Sequence, residues 1–318
     1  MYNFLPKSLM DNLRKQKYHI VGLHSAVKRC RWLRESLIHN RACYKEKFYG
    51  IQTHRCVQMT PIIYNCTMRC LFCWRIQDKD LEVSWEEHSP KKWDSPEEII
   101  DGCLKAQRDI LSGYKGNPKT DKEKLKEAFT PKHFAISLAG EPTLYPYLSE
   151  FISLLHKKGF TSFLVTNGTL PEALLKLDKE PTQLYISLYA PDKETFNLLC
   201  RPKSPNLWEK VLETLSYLPS FNCKTVVRLT LVRHFNLKNP EKYAEIIREA
   251  QPTYVEPKAY MHVGFSQRRL SFENMPTHTE IREFSQALAD ELGYNILDES
   301  VESRVVLLSC LDKAIKIC

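Results

Sequence analysis

The sequence predicts an α/β fold: a partial (β/α)6 barrel with a mainly helical, basic N-terminal extension. Near-continuous apolar strands alternate with amphipathic helices from residue 56 to residue 292, the pattern of a parallel sheet built from βαβ units. Six such units fit an open or partial barrel better than a closed eight-fold one. The 318 residues hold 46 Lys and Arg against 38 Asp and Glu, and the excess is confined to one end.

In chain order, residues 1–50 read as helical, with Leu9, Leu13, Ile20, Leu23, Trp32, Leu33 and Leu37 interleaved with basic residues. Residues 1–56 carry 12 Lys and Arg and 3 Asp and Glu, whereas the remaining 262 carry 34 and 35. One reading of that asymmetry is a polyanion contact, nucleic acid first; the other is a solvated basic helix face. The segment 56–63, CVQMTPII, reads as the first barrel strand and leads into a cysteine-rich loop. Residues 78–95 are polar, and Trp85, Pro90 and Trp93 interrupt any helix there. Ser95 as N-cap and Pro96 in the first turn start a helix that runs to Ser112. Residues 113–130 read as an exposed Lys-rich excursion.

Strands at 133–138, 162–168, 183–190, 225–232 and 254–260 then alternate with helices at 147–159, 171–177, 192–199, 207–218, 241–250 and 277–292. The expected organisation is an extension over 1–53, a barrel over 54–292, and a C-terminal segment, 293–318, packing on the barrel. No run of about 18 apolar residues is present. The first 20 residues lack the apolar core of a secretory signal. A soluble, cytoplasmic protein with no membrane partner is expected.

Eleven cysteines in a reducing compartment are not expected to form disulfides. Cys103, Cys200, Cys223, Cys310 and Cys318 are isolated and read as buried structural thiols. The other six lie between positions 30 and 73, which points to metal or cluster ligation. Cys66, Cys70 and Cys73 form C-x3-C-x2-C with Phe72 before the last cysteine. Three thiolates this close can hold three irons of a [4Fe-4S] cube and leave the fourth iron open. Structural zinc with a distant fourth ligand is the alternative. Cys30, Cys43 and Cys56 are spaced evenly, 13 residues apart, which is not a zinc signature. They are either three unrelated buried thiols or the ligands of a second [4Fe-4S] cluster, again with an open iron.

The C-x3-C-x2-C loop and its aromatic residue resemble the radical S-adenosylmethionine (SAM) superfamily. The resemblance implies a partial (β/α)6 barrel and S-adenosyl-L-methionine chelated at the open iron. One electron would cleave it to methionine and a 5′-deoxyadenosyl radical. The run Ala139-Gly140-Glu141-Pro142-Thr143 resembles the superfamily's glycine–glutamate motif at the SAM amino group, making Gly140, Glu141 and Thr143 cofactor-binding candidates. Asn167, within Thr166-Asn167-Gly168, and Ser187 end the third and fourth strands and are candidate ribose or carboxylate contacts. A Thr-Asn-Gly run is also an ordinary turn.

A narrower resemblance covers about residues 10 to 308. Cys30, Cys43-Tyr-Lys45, Phe48-Tyr-Gly-Ile-x-Thr-His-Arg-Cys56 and Cys73-Trp74-Arg75 are similar to the archaeal tRNA 4-demethylwyosine synthases of wybutosine biosynthesis. SLAGEPTLYPYL (137–148), PTQLYISL (181–188), YMHVGFS (260–266) and Gln267-Arg-Arg-Leu270 carry it further. Tyr189 departs from the pattern, standing where an acidic residue is expected.

This family implies two substrates: tRNA-Phe bearing N1-methylguanosine at position 37, and pyruvate. Hydrogen abstraction from the methyl group, addition to pyruvate with loss of one carbon, and ring closure would give tricyclic 4-demethylwyosine, the work of a carbon–carbon lyase. An external one-electron donor of ferredoxin or flavodoxin type and a monomeric state are expected. Pyruvate would chelate the open iron of the second cluster. Lys45, two residues beyond Cys43, is the catalytic candidate: a lysine whose pKa burial lowers can form a Schiff base with a carbonyl substrate. Phosphate binding or plain solvation is its alternative role. Arg29, Arg31, Arg34, Arg41, Arg268 and Arg269 are candidate tRNA contacts, the last two otherwise a solvated turn. Two further readings are a radical SAM enzyme with an auxiliary cluster acting on another substrate, and a non-catalytic zinc-containing RNA-binding protein.

Overall fold

The computed structural model describes residues 5–81 and 92–317. Its first stretch holds α1 (Lys7–Lys15), β1 (Tyr18–Val21), β2 (Ser25–Lys28), α2 (Arg31–His39) and α3 (Tyr44–Tyr49). There follow β3 (Cys56–Thr60), α4 (Pro96–Ser112), α5 (Lys122–Ala128), β4 (His133–Ile136), α6 (Leu148–Lys157), β5 (Thr161–Thr166) and α7 (Pro171–Leu175). The chain continues through β6 (Gln183–Ser187), α8 (Lys193–Cys200), α9 (Leu207–Ser216), β7 (Lys224–Leu231), α10 (Pro240–Ala250) and β8 (Tyr254–Ala259). It ends with α11 (His278–Leu292), β9 (Asn295–Ser300) and β10 (Val305–Ser309).

The strands form one sheet in the order β1-β2-β3-β4-β5-β6-β7-β8-β10-β9. The six from β3 to β8 are parallel, as the alternation of apolar strands and helices predicts. Antiparallel pairs flank them on both sides. Apolar residues fill the helix-facing side, so Phe134, Ile136, Leu164, Leu184, Val227 and Val255 are fully buried. Strand side chains alternate between faces. The opposite face therefore presents Gln58, Ala135, Val165, Ser187, Arg228, Thr230 and Lys258 to an internal cavity.

The extension differs from the helical expectation. Ile20, Val21 and Val27 are β-branched, and Gly22 reverses the chain at φ +57°, so the stretch Tyr18–Lys28 forms a hairpin. A Cβ on Gly22 would lie 2.2 Å from Asp94 Oδ2. The hairpin joins the sheet through Ala26 opposite Thr60. The 113–130 excursion is likewise not wholly exposed: α5 lies in it, with Leu125 and Ala128 buried against Leu33 and Leu37 of α2. Of the isolated thiols, Cys103 and Cys200 are buried as expected; Cys223 is half-buried, and Cys310, just past the end of β10, is exposed. Cys318 and residues 82–91 of the polar segment lie outside the described residues.

The extension and the C-terminal segment meet. The ring-rich α3 packs Tyr44, Phe48 and Tyr49 against Phe163, Tyr185, Val226 and Tyr254 on the inner strands. Lys47 Nζ pairs with Asp298 at 2.6 Å, Arg41 with Glu302 at 2.7 Å, and the Ile317 N–H donates to Tyr49 O at 2.8 Å.

Capping follows the sequence. Ser95 caps α4 over the expected span, and Thr277 and Glu280 form a capping box on α11. Glu280 also pairs with Arg233. The Arg233 hydrogen bonds, with those from Thr277, hold its carboxyl down at about 2. A folded value below the unfolded one of 4.5 stabilises the fold above that pH and loses this contribution as pH falls through about 2. Because the side chain is 30% exposed, solvent screening reduces the contribution to about 1–2 kcal/mol. Glu280→Gln is expected to lower Tm at pH 7, with the gap from the parent closing toward pH 2 in a pH series of thermal melts.

Candidate active site

Two cysteine triads open on one cavity of about 720 Å³ inside the partial barrel. Cys66, Cys70 and Cys73 lie on the loop that follows β3, at the strand ends where parallel α/β folds build their sites. Cys30, Cys43 and Cys56 line the same cavity despite their wide spacing. Local structure explains how. Cys30 and Cys43 occupy the N-cap positions of α2 and α3 with nearly identical backbone angles, φ −65° ψ 142° and φ −65° ψ 147°. Cys56 is the first residue of β3. Two helix starts and one strand start thus deliver three thiols to one place.

Within each triad, neighbouring thiols influence one another's ionisation. Burial pushes the Cys43 and Cys56 thiols up to about 12, and Cys30 reinforces the rise in both. Burial also raises Cys66 to about 12, with Glu141, Cys70 and Cys73 adding to it. Cys70 is raised by its hydrogen bond with Cys200, which favours the protonated thiol, together with burial. Thiols that burial holds protonated need a compensating cation to ionise, and a bound metal centre supplies it. Among the described residues, no three His, Cys, Asp or Glu side chains converge closely enough for a single metal ion.

Gly140, Glu141, Asn167 and Ser187 all line the cavity at successive strand ends. Gly140 has φ +63°, and a Cβ there would lie 2.1 Å from Ile62 O and 2.7 Å from Asn65 O. Only glycine lets the backbone pass this close. Gly140→Ala is expected to displace the strand-end turn and weaken SAM binding at least about tenfold, from strain of about 1–3 kcal/mol; equilibrium dialysis with SAM reads it. Glu141 is buried and accepts from Thr143 Oγ1 (2.7 Å), Thr166 Oγ1 (2.5 Å) and the Asn167 N–H (2.9 Å). Burial raises its pKa, and these hydrogen bonds oppose the rise. Thr143 departs from the expectation: it does not line the cavity, because its hydroxyl is turned to Glu141 and holds that carboxylate. Asn167 Nδ2 reaches 2.9 Å from Thr67 Oγ1 and 3.6 Å from Cys66 Sγ, tying the third strand end to the cysteine loop.

Lys45 sits among the second triad's aromatic walls. Its Nζ lies 4.2 Å from the Tyr185 ring centroid and 4.6 Å from that of Phe163. Burial, and then the neighbouring Arg228, lower its pKa to about 8. Arg228 pairs with the buried Glu256 at 2.7 Å and donates to Tyr44 Oη at 2.6 Å. Lys258 is also lowered to about 8, by burial and Arg228. Sequence reasoning missed Arg228, Glu256 and Lys258; their signal was charge inside otherwise apolar strands.

The six arginines expected to meet RNA separate into groups. Arg29 and Arg31 line the cavity mouth, Arg29 donating to Tyr114 Oη at 3.2 Å. Arg34 and Arg41 both pair with Glu35. Arg268 is exposed, with its guanidinium 4.6 Å from the Phe265 ring centroid. Arg269 is turned inward: it pairs with Asp80 at 2.8 Å and donates to the Leu71, Cys73 and Arg75 carbonyls. It clamps the cysteine loop, and that engagement leaves it turned away from the phosphate contact expected of it. Arg75 does similar work, donating to Ser137 O at 2.5 Å and to Leu138 O. Tyr189, the departure noted in the sequence, packs its ring on Phe72 at 4.8 Å.

An inner-faced partial barrel with three thiols on the first strand-end loop defines a radical SAM protein, and residues 60–247 match the radical SAM superfamily. Residues 249–310 match the wyosine base formation family. The chain is 52% identical, over 96% of its length and 89% of the relative's, to the S-adenosyl-L-methionine-dependent tRNA 4-demethylwyosine synthase of Pyrococcus abyssi. It is 43% identical to that of Methanocaldococcus jannaschii, with 96% of each chain covered. A solved structure of TYW1 with a lysine–pyruvate adduct bound superposes with a TM-score of 0.89 at 40% identity, covering 99% of both chains. The crystal structure of archaeal TYW1 gives 0.81 at 38% identity, covering 98% of this chain and 99% of that one. The chain belongs to the S-adenosyl-L-methionine-dependent tRNA 4-demethylwyosine synthase family.

Proposed function

We propose that this protein condenses pyruvate with N1-methylguanosine-37 of tRNA-Phe to form 4-demethylwyosine, as a radical SAM carbon–carbon lyase with two [4Fe-4S] clusters. The observation that carries the reading is that both cysteine triads and Lys45 line one cavity. The names of its relatives and the lysine–pyruvate adduct in a structural neighbour support it. When bound at Cys66, Cys70 and Cys73, a cluster with SAM supplies a 5′-deoxyadenosyl radical. The protein's own residues do the rest.

Gly140 lets the strand-end turn pack against the Ile62 and Asn65 carbonyls, and Glu141 and Asn167 fix the wall where SAM would lie. At the other triad, Lys45 Nζ is the nucleophile toward the pyruvate keto carbon. The amine and ketone form an imine and release water. Its lowered pKa, about 8, raises the neutral amine fraction at pH 7 by about two orders of magnitude over a solvated lysine. Arg228, Lys258 and Lys45 gather positive charge beside the buried Glu256 at this end of the cavity, which suits a carboxylate substrate. The aromatic walls and α3 keep water from it. An external donor of ferredoxin or flavodoxin type delivers the electron to what we take to be a cytoplasmic monomer. No described helix is long and apolar enough to cross a membrane.

The test is an anaerobic assay of reconstituted protein with SAM, pyruvate and N1-methylated tRNA, read by mass spectrometry of nucleoside 37. Product carrying two pyruvate carbons is expected. Deoxyadenosine formation without pyruvate incorporation would move the protein to another radical SAM reaction. Bound zinc with no SAM cleavage would make it a non-catalytic RNA-binding protein.

A further inference from the structure

A shallow groove opens beside the reaction cavity and shares Lys28, Trp74 and Val263 with it. Its far wall is the last turn of α1, which carries Lys15. Its floor is Trp74 and the 3-10 turn Gly264–Arg268. That turn is fastened to the cysteine loop. The Phe265 N–H donates to Trp74 O at 2.9 Å, and Gly264, at φ +61°, would place a Cβ 2.4 Å from the same oxygen. The groove is therefore in fixed register with the cavity mouth.

Its cations are held differently from Arg34, Arg41 and Arg269. Lys15, Lys28 and Arg268 line it, and no acidic side chain does among the described residues. None of the three has an ion-pair partner among the described residues, whereas Arg34, Arg41 and Arg269 are each tied to a carboxylate. Two aromatic faces lie between the cations: Lys28 Nζ is 4.9 Å from the Trp74 ring centroid, and the Arg268 guanidinium stacks on Phe265. Free cations along a path with aromatic platforms between them are the features that track single-stranded nucleic acid, cations for phosphate and rings for bases. An enzyme that draws one base out of its stack must also receive the backbone beside it.

We propose that this groove seats the unpaired nucleotide adjoining the target base, its phosphate on Lys15 and Arg268 and its base on the Phe265–Arg268 stack. The assignment rests on the tRNA reading of the main cavity and deepens it. It is tested on the cluster-loaded protein by fluorescence anisotropy with an anticodon stem-loop RNA carrying N1-methylguanosine. The probes are that hairpin and the same hairpin abasic at each neighbouring nucleotide in turn. Iron content and Tm serve as folding controls for the variants.

The double variant Lys15→Glu, Arg268→Glu is expected to bind the hairpin at least about tenfold more weakly, with a log–log salt slope shallower by about 0.7 for the loss of one single-strand phosphate contact. One abasic substitution is expected to weaken the parent about fivefold or more, and to leave Phe265→Ala unaffected. Unchanged affinity in the double variant, or an abasic penalty that persists in Phe265→Ala, would overturn the groove while leaving the main reading intact. Unchanged RNA affinity with slower reduction by an acidic donor protein would overturn it too and give the groove to the donor. Failure of the parent to bind the hairpin at all would remove the tRNA reading and the groove with it.

Discussion

Lys45→Ala will abolish 4-demethylwyosine formation, by on the order of 10³-fold or more (~4 kcal/mol), while SAM cleavage to 5′-deoxyadenosine persists. The split follows from geometry. Lys45 lies with Cys43 and Cys56 over the rings of Phe163 and Tyr185, at the end of the cavity formed by α3 and the inner strands. The groups we propose to hold SAM belong to Gly140, Glu141 and Asn167, which line the cavity at the strand ends. Removing the amine leaves those groups in place. Lys45→Arg preserves the charge but has no nucleophilic amine, because a guanidinium stays protonated. It should therefore be as inactive as Lys45→Ala, whereas a phosphate-binding or solvated lysine would tolerate that exchange. Borohydride treatment with pyruvate should add one reduced pyruvate to the tryptic peptide bearing Lys45, and nothing to that peptide in either variant. Near-parental turnover in Lys45→Ala would remove the imine step.

The position of Lys45 also shows what was legible in the sequence and what was not. The residue stood out because it follows Cys43 by two positions, and position along the chain is what a sequence displays. The six parallel strands were legible for the same reason: each is a local run of apolar residues followed by an amphipathic helix. The hairpin at Tyr18–Lys28 does not follow the helical reading that its helical, basic neighbours suggest; the deciding signal was Gly22, which turns the chain at positive φ between β-branched residues. The partners that tune Lys45 were illegible. Arg228 on β7 and Glu256 on β8 lie 28 positions apart in the chain and meet only because neighbouring parallel strands bring them into register. Arg269 failed as a phosphate contact for a related reason. Its pattern, two arginines after a strand, matches a surface site, yet Asp80 and three loop carbonyls 189 or more positions upstream engage it.

On the proposed two-cluster reading, Cys43→Ala and Cys70→Ala should each halve the bound iron, from about eight to about four atoms per chain, because each would remove one ligand of a separate four-iron cube. Their activities should then part. Cys70→Ala loses SAM cleavage, because Cys70 belongs to the loop beside Gly140 and Glu141. Cys43→Ala keeps SAM cleavage and loses pyruvate incorporation, because Cys43 caps α3 on the side of Lys45. Folding should survive both changes: Cys43 is a half-buried thiol at a helix cap, and Cys70, though buried, is a small side chain on a loop that Arg269 and Arg75 also fasten. Iron analysis with paired deoxyadenosine and nucleoside assays reads all three quantities on one sample. Four irons in the parent, unchanged by Cys43→Ala, would reduce the upstream triad to ordinary buried thiols. Lys45 would then have to bind pyruvate with no metal centre beside it.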